Sequence, residues 1–373
     1  MSATPPAHPA RRPDGFAEAV AAGPLVLDGG MSNELAGAGH DLSDALWSAR
    51  LLADEPDAIT RAHQAYFEAG ASVAITASYQ ASFEGFARRG VGRAEAARLL
   101  ALSVELAREA ARRDRTGRRL WVAASVGPYG AVLADGSEYR GRYGLSVAEL
   151  EAFHRPRLEV LAAAGPDVLA LETVPDTDEA RALLRAVRGL GVPAWLSYSV
   201  EYGPGEYGRG EYDGKEYSGE EYSGKKGGGK KHGGNRYRGD EDGAGGGRTR
   251  AGQSLEEAFA LAADCPEIVA VGVNCCTPAD ADRAVAVAAR LSGKPVVVYP
   301  NSGERWDAAA RDWRGGPTFR AARVAGWLAD GARLVGGCCR VGPREIAGLA
   351  GEVGRATAAG GSHGPDAPGA PVT

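Results

Sequence analysis

The chain has 373 residues, of which 44% are hydrophobic and 24% are charged, and its net charge is −5. This length allows one large domain or two small ones with a sizeable core. The mildly acidic balance gives no sign of a basic surface for nucleic acid or for an anionic membrane, so we expect neither partner. No apolar run reaches the roughly 18–20 residues of a membrane-spanning helix. The N-terminal stretch has no apolar signal-peptide core either, so we expect a soluble, cytoplasmic protein.

Eight short apolar runs recur along the chain, and several of them are rich in β-branched residues. Their hydrophobicity is nearly continuous, which is typical of parallel strands that are covered on both faces. The eight predicted strands cover residues 24–30, 73–79, 120–128, 168–174, 194–200, 268–275, 295–301 and 333–339.

The segments between these runs carry the signals of helices. Residues 93–113 are strongly amphipathic, and Ser146 with Glu149 has the spacing of a capping box. First helical turns are indicated by Pro56, Pro278 and Pro343. Eight β/α units predict a single-domain α/β fold, a (β/α)8 TIM-type barrel. An open doubly wound sheet is the alternative, but the first strand lacks the G-x-G-x-x-G loop of that fold.

One segment differs from the rest of the chain in composition. From Glu201 to Tyr222 the pair Glu-Tyr recurs every five residues, and a Gly- and Lys-rich stretch follows it. Because this segment has almost no aliphatic residue to bury, we predict that 203–247 is a disordered insertion after strand five. The barrel is then expected to span 16–355, between disordered tails at 1–15 and 356–373.

Polar side chains follow several of the predicted strands. In a parallel barrel the carboxyl ends of all strands meet at one face, where the chemistry takes place. We therefore expect one site that contains the residues at these ends: Asp28, Glu172, Asn274, Cys275, Tyr299, Cys338 and Cys339.

The thiols among these residues suggest a metal site. Zinc accepts thiolate ligands, and three protein ligands leave one tetrahedral position for water or substrate. Cys338 and Cys339 are adjacent, so they can share an ion only where the strand bends or ends, which the two preceding glycines allow. Two alternatives stay open here: buried packing cysteines, and a closed four-cysteine site that includes Cys276.

Several motifs together carry a family resemblance. DGGMSNEL, ITASYQASF, FHRPRLEVLAAAGPDVLALETVPD, GVNCC, YPNSGE and GGCCR occur in this order. They resemble the zinc-dependent homocysteine S-methyltransferase family over about residues 20–355. The resemblance implies a barrel whose Zn²⁺ is held by Cys275, Cys338 and Cys339. The fourth zinc position then takes the thiol of homocysteine.

The same resemblance implies a binding site for the amino-acid end of homocysteine. Glu172 matches the acid that binds the α-amino group. Asp28 and the backbone of Gly29 and Gly30 match the loop that holds the amino-acid end. Asn274 is expected to support the site from beside its cysteine ligand.

Aromatic residues are candidates for binding the methyl donor. Trp47, Tyr79 and Trp306 could offer π faces to a sulfonium cation, and packing is the alternative for each. Tyr299 is a hydrogen-bond partner in the pocket or a turn former.

The donor is predicted from the size of the chain. A short single barrel resembles the branch that uses S-methylmethionine, sometimes S-adenosylmethionine, whereas betaine-dependent relatives have a longer C-terminal extension. The partners implied are homocysteine and a sulfonium methyl donor. The alternatives are a betaine-type enzyme, a blocked pseudoenzyme, and a non-catalytic barrel with a structural zinc whose repeat binds a partner.

Overall fold

A computed structural model describes residues 15–42, 48–202, 246–307 and 312–360. Its central sheet consists of eight parallel strands, which we number in chain order. They are β1 (Leu25–Val26), β2 (Val73–Ile75), β3 (Trp121–Val126), β4 (Val168–Val174), β5 (Ala194–Tyr198), β6 (Ile268–Asn274), β7 (Val296–Tyr299) and β8 (Ala332–Val335).

The sheet closes on itself. Successive strands pair from β2 to β8, and β8 pairs in parallel with β1. On its other side β1 meets β2 through a parallel bridge between Leu27 and Val73, where the Asp28 amide donates to the Val73 carbonyl at 3.0 Å. The predicted (β/α)8 barrel is therefore confirmed, and the open-sheet alternative is wrong.

The helices surround this barrel. Three of them begin at the predicted prolines, and the helix predicted over 93–113 has those bounds in the structure. The α-helices are α1 (Phe16–Ala22), α2 (Met31–Gly37), α3 (Ser48–Asp54), α4 (Pro56–Glu68), α5 (Phe83–Ala87), α6 (Arg93–Arg113), α7 (Tyr129–Leu133), α8 (Val147–Ala163), α9 (Thr177–Ala186), α10 (Leu255–Ala260), α11 (Pro278–Ser292), α12 (Val324–Ala329) and α13 (Pro343–Gly360). Single 3₁₀ turns cover Ser137–Tyr139 and Ala321–Arg323.

Apolar side chains fill two separate layers. One layer lies between the sheet and the helices, and the other fills the inside of the barrel. Helix α1 belongs to the inner layer, because Phe16 packs edge-on against Trp121 with ring centroids 5.5 Å apart. The amino-terminal end of the barrel is thus filled, which leaves the carboxyl-terminal end for a polar site.

Alternation along the strands places polar groups at that end. In β4, Val168 and Ala170 belong to the inner layer, whereas Leu169 and Leu171 belong to the outer one. Glu172 is the next inward residue, since side chains repeat every two residues along a strand. Inward positions change in the same way from apolar to polar on the other strands, at Ser125, Ser197, Asn274 and Tyr299.

Seven of the eight strands end earlier than the sequence predicts, and β1, β2 and β8 do so by four residues each. β1 ends at Val26 and β8 at Val335, whereas the predictions were residues 30 and 339. The chain after β8 approaches β1 closely: a Cβ at Gly336 would lie 2.6 Å from the Leu27 Cβ. This crowding ends the regular strand before the cysteine pair, so Cys338 and Cys339 lie in a turn.

The last helix continues further than expected. α13 extends to Gly360, so the C-terminal tail predicted from residue 356 begins too early. Alanine is the best helix former, and the Thr357 hydroxyl donates to the Val353 carbonyl at 3.0 Å, which supports this last part of the helix.

Two small antiparallel ribbons accompany the barrel. Val200–Glu201 pairs with Arg248–Thr249, and Arg305–Asp307 pairs with Asp312–Arg314. The predicted insertion lies outside the described residues except for Gly246 and Gly247, as do most of both predicted tails. Among the helices that are described, none is both long and apolar enough to cross a membrane.

Candidate active site

Three cysteine sulfurs meet at the carboxyl-terminal end of the barrel. Cys275 follows β6, and Cys338 and Cys339 follow β8. The Cys275 Sγ lies 3.8 Å from the Cys339 Sγ, and the Cys338 Sγ lies 3.9 Å from the Cys339 Sγ. All three sulfurs lie within 4.8 Å of one another.

The backbone turns that carry these residues explain the convergence. Cys275 has a left-handed conformation with φ of 50°, which directs the chain out of the strand. In the turn after β8, the Cys338 amide donates to the Pro300 carbonyl at 2.8 Å. Gly337 is required at this turn because a Cβ there would lie 2.1 Å from Val341 Cγ1. Both cysteines of the pair can therefore face the same point.

The three sulfurs fit a tetrahedral metal ion. Zinc–sulfur bonds of about 2.3 Å at tetrahedral angles separate the sulfurs by about 3.8 Å. The two separations of 3.8 and 3.9 Å agree with that value. Cys276 is fully buried in the outer layer of the core and is not part of the cluster. The site is therefore a three-sulfur site, and the alternative of a closed four-cysteine site is wrong.

The thiols also influence one another's ionisation. Hydrogen bonds from Cys275 and Cys338 lower the pKa of Cys339 well below its usual value. The same contacts raise the pKa of Cys338, chiefly through its hydrogen bond with Cys275. Cys339 is thus the thiol that ionises first.

Two buried carboxyl groups lie in the same mouth of the barrel. Ser125 donates to Glu172 Oε1, and the Tyr299 hydroxyl donates to Glu172 Oε2 at 3.0 Å. Burial raises the pKa of Glu172 to about 7. Asp28 accepts from the Ile75 amide at 2.8 Å through Oδ2, and burial raises its pKa well above the usual value.

These two acids suit a positively charged ligand. After burial, the charge of Glu172 raises the pKa of Asp28 further, because the two carboxylates repel each other when both are ionised. Asp28 Oδ1 is buried and has no hydrogen-bond partner among the described residues. An ammonium group between these acids would supply both the missing donor and the compensating charge.

Asn274 and Tyr299 hold the strand ends in place. The Asn274 Oδ1 accepts from the Thr173 amide at 2.7 Å and from the Ser197 hydroxyl at 2.8 Å, and its Nδ2 donates to Thr173 Oγ1. The Tyr299 hydroxyl also accepts from Trp195 Nε1 at 3.1 Å. Asn274 therefore positions the strand that carries Glu172, while Tyr299 touches Glu172 directly.

Gly29 and Gly30 allow the first loop to approach the cysteine turn. A Cβ at Gly29 would lie 2.2 Å from the Val341 carbonyl oxygen, and one at Gly30 would lie 2.8 Å from the Cys338 carbonyl oxygen. The Gly30 amide donates to the Val341 carbonyl at 2.9 Å, so the protein itself uses that donor.

Of the predicted aromatic contacts to the donor, the structure describes one side chain, that of Tyr79. Tyr79 is partly buried, and its ring lies against Gly127, where a Cβ would be 2.6 Å from Tyr79 Cε2. Trp47 lies outside the described residues, as does the side chain of Trp306. Their predicted contact with the donor stays a prediction.

Sequence reasoning missed Tyr139, which contacts the sulfur cluster, and Glu138 beside it. They lie in the 3₁₀ turn Ser137–Tyr139, in the loop region after β3. The Tyr139 hydroxyl donates to the Cys275 Sγ at 3.8 Å, while the residue as a whole is 38% exposed. The acid–aromatic pair at the carboxyl-terminal face of the barrel was the available signal.

Comparison with known proteins decides the family. Residues 25–353 match the family model described as homocysteine S-methyltransferase. The chain belongs to the homocysteine S-methyltransferase family. The family prediction and the predicted class of methyltransferase are thereby confirmed.

Relatives of this family resemble the chain over nearly their whole length. Homocysteine S-methyltransferase 4 of Zea mays is 40% identical over 348 residues, which are 88% of this chain and 89% of the relative. Homocysteine S-methyltransferase of Escherichia coli is 40% identical over 335 residues, which are 87% of this chain and 94% of the relative. The metallated crystal form of Escherichia coli homocysteine methyltransferase MmuM superposes with a TM-score of 0.68 at 38% identity, over 88% of this chain and 96% of that one.

Proposed function

We propose that this protein is a zinc-dependent enzyme that transfers a methyl group from S-methylmethionine to the thiol of homocysteine, giving methionine. The observation that carries the proposal is the set of three sulfurs at tetrahedral spacing beside two buried carboxyl groups. Cys275, Cys338 and Cys339 would hold Zn²⁺. A metallated crystal form exists for the Escherichia coli relative, which supports a metal at this site.

The carboxyl groups would bind the amino-acid end of homocysteine. The ammonium group binds between Glu172 and Asp28, where it supplies a donor to the buried Asp28 Oδ1. Tyr299 and Ser125 keep Glu172 oriented by donating to its two oxygens. Homocysteine bound in this way extends its thiol toward the sulfur cluster.

Methyl transfer then needs a thiolate and a dry pocket. A free thiol has a pKa of about 8.5, and bound zinc would keep the homocysteine sulfur deprotonated at neutral pH. A bond forms between that sulfur and the methyl carbon while the donor's sulfur–methyl bond breaks, and the bonding pair stays on the donor sulfur. The thiol proton leaves to solvent. Positive charge disappears in this step, so buried walls favour the transition state over the charged donor.

A sulfonium is the donor class that we assign. Its cation suits the aromatic faces at the mouth, where Tyr79 is partly buried and Tyr139 is exposed beside Cys275. S-adenosylmethionine shares this chemistry, and we rank it second. A cluster of free thiols needs a reducing compartment, so we place the protein in the cytoplasm.

The test is methionine formation from homocysteine with three donors side by side: S-methylmethionine, S-adenosylmethionine and betaine. We expect the highest kcat/KM with S-methylmethionine. Cys275→Ala should lower kcat at least 100-fold and remove bound zinc. Cys276→Ala is the matched control, because the Cys276 thiol is buried in the core. This variant should retain zinc and activity. Betaine as the best donor, or no methionine with any donor, would contradict the proposal.

A further inference from the structure

A third carboxyl group, that of Glu138, lies near the sulfur cluster in the loop region after β3. Glu138 precedes Tyr139, whose hydroxyl lies 3.8 Å from the Cys275 Sγ. Gly130 allows this turn to pack closely, because a Cβ there would lie 2.4 Å from the Glu138 amide nitrogen. Burial, and after it the charge of Glu138, raises the pKa of Tyr79, so the Glu138 carboxylate lies near that residue.

Part of this carboxylate is buried without a partner. Glu138 Oε2 is inaccessible to solvent and has no hydrogen-bond partner among the described residues. Burial raises the pKa of Glu138 to about 7, although the charge of Arg140 acts against that shift. The hydrogen-bonding groups of the neighbouring arginines contact other acids: Arg140 lies 3.4 Å from Asp135, and Arg250 lies 3.2 Å from Glu201. A buried carboxylate oxygen that lacks a donor is costly, so a ligand that supplies a charged donor would be bound there.

We propose that Glu138 binds the α-ammonium group of the methyl donor and so selects sulfonium donors that are amino acids. This inference rests on the proposed function. The acceptor's ammonium has its own acids, Glu172 and Asp28, which lie at the ends of two other strands. Glu138 is left for the second amino acid that the reaction brings to the same sulfurs.

The chemistry of the reaction favours the ammonium over the sulfonium as the partner of Glu138. The sulfonium loses its charge during transfer, so a carboxylate beside it would stabilise the ground state more than the transition state. The α-ammonium keeps its charge throughout. Contact with it strengthens donor binding equally in both states and therefore appears in the donor's KM.

The experiment compares two donors in wild type and Glu138→Gln. With S-methylmethionine, we expect the variant to raise the donor KM about 10- to 100-fold, while kcat and the homocysteine KM change less than threefold. With trimethylsulfonium, which has no ammonium group, kcat/KM should be the same in both proteins. Equilibrium dialysis of radiolabelled S-methylmethionine with the metal-free proteins should show the same loss without turnover.

A neighbouring acid provides the matched control. Asp135 lies in the same loop, and the exposed Arg140 is its partner, so Asp135→Asn should leave both donors unaffected. Unchanged S-methylmethionine KM in Glu138→Gln, an equal loss with both donors, or a raised homocysteine KM would overturn the inference. Failure of wild type to methylate homocysteine with any donor would instead overturn the proposed function.

Discussion

The side chains at the mouth of the barrel gather negative charge in a poorly hydrated place. Asp28 and Glu172 are buried there, and so is the Cys275 thiol. Burial raises the pKa of Glu172 to about 7, so a substantial fraction of this carboxyl group is protonated at neutral pH. Substrates that bring positive charge restore the ionised forms, so charge complementarity couples binding to the chemistry of the site.

Replacing Glu172 tests the acceptor half of this arrangement. Glu172→Gln keeps the size of the side chain and removes its charge, so the homocysteine KM should rise about 10- to 100-fold. The KM of S-methylmethionine should stay within threefold, and bound zinc should be unchanged. Steady-state kinetics with each substrate varied separately makes the comparison. A larger effect on the donor than on homocysteine would refute this role.

At this scale the sequence predicted some residues better than others. Cys275, Cys338 and Cys339 were predictable because each lies at or just beyond a strand end, where a barrel brings distant segments together. Tyr139, whose hydroxyl contacts Cys275, was missed because it lies in a 3₁₀ turn that no strand end marks. The sequence also could not indicate that the amide oxygen of Asn274 accepts hydrogen bonds from Thr173 and Ser197.

Among the elements, the loops after β7 and β8 are joined beside the three-sulfur cluster. Arg340 donates to both oxygens of Glu304, at 2.5 and 3.0 Å, and lowers the pKa of that acid. The Ser302 amide donates to the Cys339 carbonyl at 2.9 Å, and the Ser302 hydroxyl donates to Glu304. The two loops therefore fix the cysteine turn as one unit.

Breaking this ion pair should loosen the metal site. Glu304→Gln removes one partner of a bidentate pair, and we expect zinc affinity to fall about tenfold. Competition with a chromogenic chelator measures the affinity. Glu352→Gln is the control, because its ion pair with Arg355 lies on the outer helix α13 and should not affect zinc. Equal zinc affinity in the two variants would show that the loops are held by other contacts.

The elements themselves were largely predictable, and their ends were not. Strongly periodic segments such as α6 have the predicted bounds because amphipathic spacing and packing agree. β8 stops at Val335 because glycine allows β1 to crowd it, which is a tertiary effect that local pattern does not contain. The ribbon Arg305–Asp307 was not predicted, since so short a pairing has no distinct pattern.

At the scale of the whole molecule, a buried histidine should make the folded protein less stable at acidic pH. His63 on α4 is fully buried, and neither ring nitrogen has a partner among the described residues. Burial lowers the pKa of His63 to about 3, whereas an unfolded chain binds that proton below about pH 6.5. The unfolded state thus gains protons first, and the free energy of unfolding falls between these pH values.

His63→Leu should remove this part of the acid sensitivity. Relative to the variant, wild type should lose about 3 kcal/mol of stability between pH 7 and pH 4. At pH 7 the variant should be as stable as wild type or more so, because an unpaired polar group leaves the core. Urea denaturation at each pH measures both quantities. Parallel pH profiles in the two proteins would contradict the account.

Deleting the predicted insertion tests whether it takes part in the function of the whole chain. Its flanks are paired, with Glu201 opposite Arg248, so deletion of 204–246 leaves a three-residue hairpin loop of Tyr202, Gly203 and Gly247. We predict that the deletion protein has the melting temperature of the wild type. Its turnover should stay within about twofold of the wild-type rate. A large loss of turnover in a folded deletion protein would show that the insertion takes part in catalysis.

The central claim is that three sulfurs from two distant loops hold one zinc ion and leave it one place for the homocysteine thiol. Zinc K-edge X-ray absorption of the full chain, with and without homocysteine, tests it most directly. The account predicts three sulfur ligands and one lighter atom without homocysteine, and four sulfur ligands with it. A coordination shell that does not change on adding homocysteine would contradict it.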